Sequence, residues 1–327
     1  MKQVAGQHVW RGADLAERDD WMRPIGDLMR ADLDAVVADA HRLGQTWQNF
    51  DPALADRDSL AEFGAVVRRD LADGYGFSLL RGMPVQNYEP DDLKIAYRAL
   101  CRHIGIAGAQ GDTENRVVEV IDLQSPEKTF YNMRGGPLPM HVDPVDVVGL
   151  LCVRKAKRGG LSGIASSMMI HNVMLDECPE ALELLYRGFY NLKRNDRGAD
   201  GRQILTDHLC PIFGEAAGRL ICSLTRSAIL AAVDAGRITL SEEELDALDR
   251  FEEIATRPEI MLQMDLEPGD IQILNNRVIV HNRTDYVDEE PMGRRRMLLR
   301  QWLTVPGWPK FPANMPHADA EILTTAA

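Results

Sequence analysis

The stretch Glu267-Pro268-Gly269-Asp270-Ile271-Gln272-Ile273-Leu274-Asn275-Asn276-Arg277-Val278-Ile279-Val280-His281 decides the fold. Pro268-Gly269 followed by Asp270 is a turn signal that sends the chain round a hairpin or corner. Ile260 to Leu266 before it, and Ile271 to Leu274 and Val278 to His281 after it, are each of strand length. In the last run Val278 and Val280 face one way and Ile279 and His281 the other, because side chains alternate along a strand.

Working outward, Val117 to Leu123, Val147 to Val153, Leu161 to Ser166, Phe189 to Leu192, Arg219 to Leu224 and Arg296 to Leu303 are further short strand candidates. They are β-branched or aromatic and bounded by Gly, Pro, Asp or Asn. The first hundred residues read mostly as helix. Apolar positions recur at helical spacing between Gly26 and Leu43, Ser59 with Glu62 has the form of a capping box, and Pro90 opens a helix that ends near Gly105. Gly76 to Met83 is a strand between the last two. Two later helices are expected around Ala228 to Ala235 and behind Ser241, whose box partner is Glu244. The pattern predicts a mainly β, α+β protein whose core is a double-stranded β-helix, a jelly roll of the cupin type dressed with helices. No repeat or Gly/Ser linker divides the chain. We expect one domain over 1–327, with a helical addition at 1–73, the jelly-roll core with helical insertions at 74–304, and a Pro-rich tail at 305–327.

Lys plus Arg number 37 against 50 Asp plus Glu, a formal charge of −13. That argues against a nucleic-acid backbone or an anionic membrane as partner, while leaving room for a local basic pocket that takes a small anion. No apolar run approaches membrane-span length, and Met1 to Trp10 carries no secretory pattern. Cys101, Cys152, Cys178, Cys210 and Cys222 are odd in number and never in a C-x-x-C pair, as expected of free thiols in a reducing, cytoplasmic compartment. The phosphate-loop, G-x-G-x-x-G, H-E-x-x-H and G-x-S-x-G signatures are all absent. Gly160-Leu161-Ser162-Gly163 has its second Gly one place too early for a nucleophile elbow.

Three places carry chemistry. In Met140-His141-Val142-Asp143-Pro144, His141 and Asp143 are two apart, so an extended strand points both to one face, where they can converge on a metal ion. The plain alternative is a surface loop in which Asp143 caps a turn. If the His281 strand lies beside this one, His281 is a third ligand. Two imidazoles and one carboxylate leave three positions open, the arrangement of non-haem Fe(II) oxygenases. In Arg296-Met297-Leu298-Leu299-Arg300-Gln301-Trp302 the two arginines stand four apart and share a strand face with Leu298 and Trp302. Inward guanidiniums are costly unless they meet carboxylates, which their planar fork grips with two parallel hydrogen bonds. Arg294 and Arg295 read as solvated, and Trp302 as core.

The order H-x-D, Gly-Gly-x-Ser, N-N-x-x-x-x-H and R-x-x-x-R resembles the taurine dioxygenase and 2,4-dichlorophenoxyacetate dioxygenase family of Fe(II)/2-oxoglutarate-dependent oxygenases. The likeness extends more weakly from about Gly74 to Trp302 and is slight before Gly44. It implies His141, Asp143 and His281 as iron ligands, Arg296 at the distal carboxylate of 2-oxoglutarate, and Ser162 as a hydroxyl supporting that carboxylate. Arg300 matches an arginine that grips either the substrate's anionic group or the cosubstrate's near carboxylate, and the sequence leaves the two open. The implied reaction consumes O2 and 2-oxoglutarate, releases succinate and CO2, and abstracts hydrogen from a small anionic or zwitterionic substrate. Because relatives that halogenate lack the carboxylate ligand, Asp143 points to hydroxylation or desaturation. Tyr131, Asn132 and Arg134 match the substrate mouth, Arg134-Gly135-Gly136-Pro137 a lid, and Gln110 a loop near the pocket. His171 reads as a packed or capping residue and Asp207-His208-Leu209-Cys210 as a loop. Two other classes stay open: a cupin-type hydrolase or isomerase using the same metal face without 2-oxoglutarate, and a noncatalytic metabolite-binding protein. Substrate identity, the choice among hydroxylation, desaturation, cleavage and cyclisation, and oligomeric state, a homo-oligomer included, are open.

Overall fold

Ile271 and Ile273 project to one side of their strand and Gln272 and Leu274 to the other, and each side is buried, so this strand must lie between two layers. In the computed structural model, which describes residues 1–110, 115–124, 135–198 and 201–317, with the side chains of 194–196 left aside, it does. The larger sheet runs Met22–Pro24, Phe77–Arg81, Ile271–Asn275, Val147–Arg154, Met297–Thr304, Ile106–Gly108, and Val118–Val120 also pairs with Met297–Thr304. The smaller sheet runs Leu262–Met264, Ser162–Ser166, Ile279–Arg283, Leu138–His141. From Leu138–His141 to Val147–Arg154 to Ser162–Ser166, and again from Leu262–Met264 through Ile271–Asn275 and Ile279–Arg283 to Met297–Thr304, the chain passes between the two sheets. That alternation is the jelly roll expected from the strand spacing.

The period-2 pattern sorts the core into layers. Leu299, Leu303, Ile271, Ile273, Val147 and Leu151 leave the large sheet outward and pack on the helices Asp27–Arg42, Asp58–Asp73 and Pro90–Cys101. Leu298, Trp302, Val148, Cys152 and Leu274 face inward and meet Ile164, Ile279, Leu262 and Met264 of the small sheet. Met140, Ala165 and Val280 face away from that space, against the helices Ser167–Glu177, Pro179–Arg187 and Glu242–Ala255. The site described below lies between the sheets.

Several local expectations change. The box at Ser59 does not form: the helix starts one residue earlier, at Asp58, and Ser59 Oγ donates to Asp32 of the neighbouring helix. At Ser241 and Glu244 both reciprocal bonds are present. Phe189 to Leu192 is not a strand; Phe189 makes one bridge to Cys210, and the strand begins at Leu192. All five cysteines are free, and four of them are buried. No helix among the described residues is long and apolar enough to cross a membrane.

Candidate active site

The register of the small sheet sets His281 directly opposite His141 on neighbouring antiparallel strands, with ring centroids 4.2 Å apart. A one-residue slip would turn either ring toward the helices, so the apolar faces that fix the register also fix this pair. His141 Nδ1 lies 2.9 Å from the carbonyl of Pro139. That partner favours the proton on Nδ1 and leaves the Nε2 lone pair for a metal. Nδ1 of His281 is buried and has no hydrogen-bond partner among the described residues. Burial is the main cause that lowers both imidazoles; His281, beside His141 and Arg300, is pushed down to about 3. Both rings are thus neutral, the form that ligates.

Asp143 corrects the strand picture. The strand ends at His141, and Asp143 stands in the turn that follows, its N–H donating to Asn276 Oδ1 (3.2 Å) and its carbonyl accepting from Val145 N (2.8 Å). Burial would raise its carboxyl, but the positive surroundings, Arg300 first among them, outweigh that and hold it below the ordinary carboxylate range. Arg300 Nη1 donates to Asp143 Oδ1 at 3.3 Å. No group of three or more His, Cys, Asp or Glu among the described residues stands ready to hold a metal ion. At this site two imidazoles face each other while the carboxylate is engaged by Arg300. The donor set, two neutral imidazoles and an ionised carboxylate, fits Fe(II).

Arg300 is held from several sides. Its Nε donates to Gln110 Oε1 (2.8 Å), Gln110 Nε2 donates to the Arg300 carbonyl (2.9 Å), and the guanidinium lies over the Trp302 ring at 4.9 Å. Nη2 makes no hydrogen bond among the described residues, so it leaves one edge for an anion. Gln110 therefore orients Arg300, and Trp302, expected as core only, is both core and platform.

The Asn275-Asn276-Arg277 turn does more than connect strands. Asn276 N donates to the Asp146 carbonyl (2.9 Å), and Arg277 Nε and Nη2 donate to Asp146 Oδ1 (3.0 and 2.6 Å). Asp146 Oδ2 accepts from Val305 N (2.9 Å), and the Arg277 guanidinium lies over the Phe311 ring of the tail at 4.3 Å. Thus the tail, the turn before His281 and the turn holding Asp143 meet at one buried ion pair.

Arg296 lies just before the strand Met297–Thr304, not within it, and a register shift follows between Met297 and Leu298. It is nonetheless buried. Its Nη2 reaches the Gly160 carbonyl at 3.5 Å, its main-chain N donates to Asp288 Oδ1 (2.6 Å), and its guanidinium lies 5.5 Å from the Tyr286 ring centre. Among the described residues no carboxylate lies within ion-pair distance of the guanidinium. Burial, reinforced by the charge of Arg283, lowers it to about 10. The Ser162 hydroxyl donates to Gln272 Oε1 (2.9 Å) rather than to any group at Arg296.

The Gly159-Gly160 step now has a physical reason. Both residues have positive φ, +74° and +72°, and a Cβ on Gly160 would stand 2.9 Å from Arg296 Nε. Gly160→Ala is expected to displace the Arg296 guanidinium and to lower stability by about 1 kcal/mol through the left-handed backbone. Urea unfolding measures it; stability equal to wild type would show that neither the contact nor the backbone strain matters.

His171 is buried with its Nε2 2.9 Å from Tyr186 Oη, a packed residue. Asp207 and His208 form an exposed pair. Arg295 is not solvated: it is buried and donates to the Asp122 carbonyl and to Gln124 Oε1. Tyr131, Asn132 and Arg134 lie outside the described residues. Two further residues, Arg283 and Tyr286, stand beside Arg296. Arg283 is two residues after His281 on the same strand face, so the alternation applied to H-x-D finds it. Tyr286 carries no such signal.

The sequence matches the profile of the family described as "Taurine catabolism dioxygenase TauD, TfdA family" over residues 42–302. The chain belongs to the TauD/TfdA family. This places it among the Fe(II)/2-oxoglutarate-dependent dioxygenases, which use O2. It is 32% identical over 324 residues to FR-33289 synthase of Streptomyces rubellomurinus, covering 96% of this chain and 94% of that protein. It is 23% identical over 340 residues to the taurine hydroxylase-like protein SAT17 of Stachybotrys chartarum, covering 96% and 85%. Among TauD-like solved structures, asparagine oxygenase with Fe(II), 2S,3S-3-hydroxyasparagine and succinate superposes with a TM-score of 0.65 at 18% identity over 87% of this chain and 93% of that one. The non-haem iron oxygenase OrfP with Fe and alpha-ketoglutaric acid gives 0.59 at 16% over 86% and 93%.

Proposed function

We propose that this dioxygenase hydroxylates a small anionic or zwitterionic molecule, with His141, Asp143 and His281 holding Fe(II) and Arg296 seating the distal carboxylate of 2-oxoglutarate. The observation that carries it is Arg296, a buried guanidinium with no carboxylate at ion-pair distance among the described residues. A buried cation of that kind is stabilised when a dicarboxylate enters. A hydrolase that ignores 2-oxoglutarate gives this guanidinium no partner.

Bound iron with 2-oxoglutarate supplies oxidation of an unactivated C–H bond by O2, with succinate and CO2 as coproducts. The chain's own residues bind and orient. His141 and His281 are neutral and facing, Asp143 is ionised, and the inner faces of both sheets wall the site with apolar side chains. Arg300, clamped by Gln110, offers its free edge to a substrate carboxylate or similar anion. The ligands named for the solved relatives, hydroxyasparagine and hydroxyarginine, are amino acids, and an amino-acid-like substrate would present such a group. Ser162 would have to turn from Gln272 to support the cosubstrate. The free cysteines suit a cytoplasmic location.

Anaerobic addition of Fe(II) and then 2-oxoglutarate to the protein is expected to develop the weak visible charge-transfer absorption of the chelate. No band in the wild type would overturn the proposal. Substrate-dependent succinate release across a panel of amino acids, other small acids and neutral analogues then finds the substrate class; turnover confined to neutral molecules would remove Arg300 from the substrate role.

A further inference from the structure

Two guanidiniums share one aromatic ring beside the Gly159-Gly160 step. Arg283 lies over Tyr286 at 4.9 Å and Arg296 at 5.5 Å, both within cation–π range. Arg283 is fixed from behind by the Gly136 carbonyl, which accepts from its Nε (3.2 Å) and Nη2 (2.7 Å). The ring is placed by the backbone: Tyr286 pairs with Gly159 across a two-stranded ladder, and Gly160 N donates to the Asp285 carbonyl at 3.0 Å. Asp288, the nearby acid, spends one oxygen on the main-chain N of Arg296. The guanidinium of Arg296 is thus buried against an aromatic ring and a distant carbonyl, with the Asp288 carboxylate nearby but outside ion-pair distance.

We infer that Tyr286 is a positioning residue for the cosubstrate, acting through Arg296. A buried guanidinium needs compensation before its ligand arrives. A carboxylate would provide it but would occupy the fork and have to be displaced by the incoming diacid. A ring face interacts with the flat side of the guanidinium and leaves its N–H edge open. Tyr286 therefore holds Arg296 ready without competing for the same hydrogen bonds. The same ring steadies Arg283, whose second positive charge adds to the field that a dianion meets. This inference rests on the proposed cosubstrate role of Arg296.

The test replaces residue 286 by phenylalanine and by progressively fluorinated phenylalanines, which empty the ring face of negative potential with little change of shape, and by leucine. Each protein is titrated anaerobically with Fe(II) and then with 2-oxoglutarate, reading the charge-transfer band. Tyr286→Phe is expected to bind 2-oxoglutarate within about twofold of wild type, and the fluorinated series to weaken it stepwise to about three- to tenfold, with Tyr286→Leu at the weak end. Fe(II) affinity stays level throughout. Equal 2-oxoglutarate affinity across the fluorinated series would overturn the inference, as would a parallel loss of Fe(II) binding, which marks general damage. The fluorinated rings keep the packing, so the test stands even if the leucine variant fails to fold. A wild-type protein without the band, or an Arg296→Ala protein that still binds 2-oxoglutarate as wild type does, would remove the cosubstrate role itself; an Arg296→Ala protein that loses 2-oxoglutarate, together with a flat fluorine series, would remove only Tyr286.

Discussion

Replacing Arg296 by alanine is expected to weaken 2-oxoglutarate binding by about 10²- to 10³-fold while Fe(II) binding changes by less than about twofold. The magnitude follows from the surroundings. The guanidinium is buried beside Gly160 and Tyr286 with no ion-pair partner among the described residues, so its paired hydrogen bonds to a carboxylate would form away from competing water. Without it the distal carboxylate would be buried unpaired, with Arg283 as the remaining neighbouring cation. Arg296→Lys is expected to recover only part of the loss, because an ammonium keeps the charge and loses the two-pronged geometry. Titration of the charge-transfer band gives both affinities in one experiment. Equal losses of iron and 2-oxoglutarate would mean that Arg296 supports the site generally and seats no diacid.

The second large effect concerns stability. Arg277→Met is expected to destabilise the protein by about 3–5 kcal/mol, the range for stranding one member of a buried ion pair. The pair is well shielded, with side-chain exposures of 8% for Arg277 and 3% for Asp146. The double change Arg277→Met with Asp146→Leu should recover part of that, because no charge is then left unpaired. It should not recover all, because Val305 N loses its acceptor at about 1–3 kcal/mol. Urea unfolding measures the wild type, Arg277→Met, Asp146→Leu and the double variant. A single variant within about 1 kcal/mol of wild type, or a double variant as unstable as the sum of its singles, would sink the claim. Since Asn276 and Asp146 hold the turn that carries Asp143, the single variant should also bind Fe(II) more weakly.

How much of this was legible beforehand depends on the range over which each signal acts. The capping box at Ser241 involves four neighbouring residues and formed as read. The identical-looking box at Ser59 did not, because Asp32 on another helix took the hydroxyl and the helix began at Asp58. Local chemistry decides a local motif only where no distant partner competes. The inward row Leu298, Arg300 and Trp302 was readable from alternation alone. Alternation extends the same face back to Arg296, but that residue precedes the strand, and the shifted register next to it has no mark in the residue pattern. Arg295, taken as solvated, is buried because Asp122 and Gln124, remote in sequence, lie within reach of its fork.

The residue order carries the periods and the chemical types. Alternating apolar runs between turn residues required two facing sheets, and four ordered motifs supplied two imidazoles, a carboxylate and a pair of arginines. Only the tertiary structure decided which of these meet. His141 and His281 are 140 positions apart and face each other because strand register is set by burying Met140, Ala165 and Val280 against helices, a sum over many contacts that no short stretch contains. The same holds for the partners of the arginines. A guanidinium's role depends on what lies around its fork in three dimensions, and that is why Gln110 belongs to Arg300, Asp146 to Arg277, and the Tyr286 ring to Arg296.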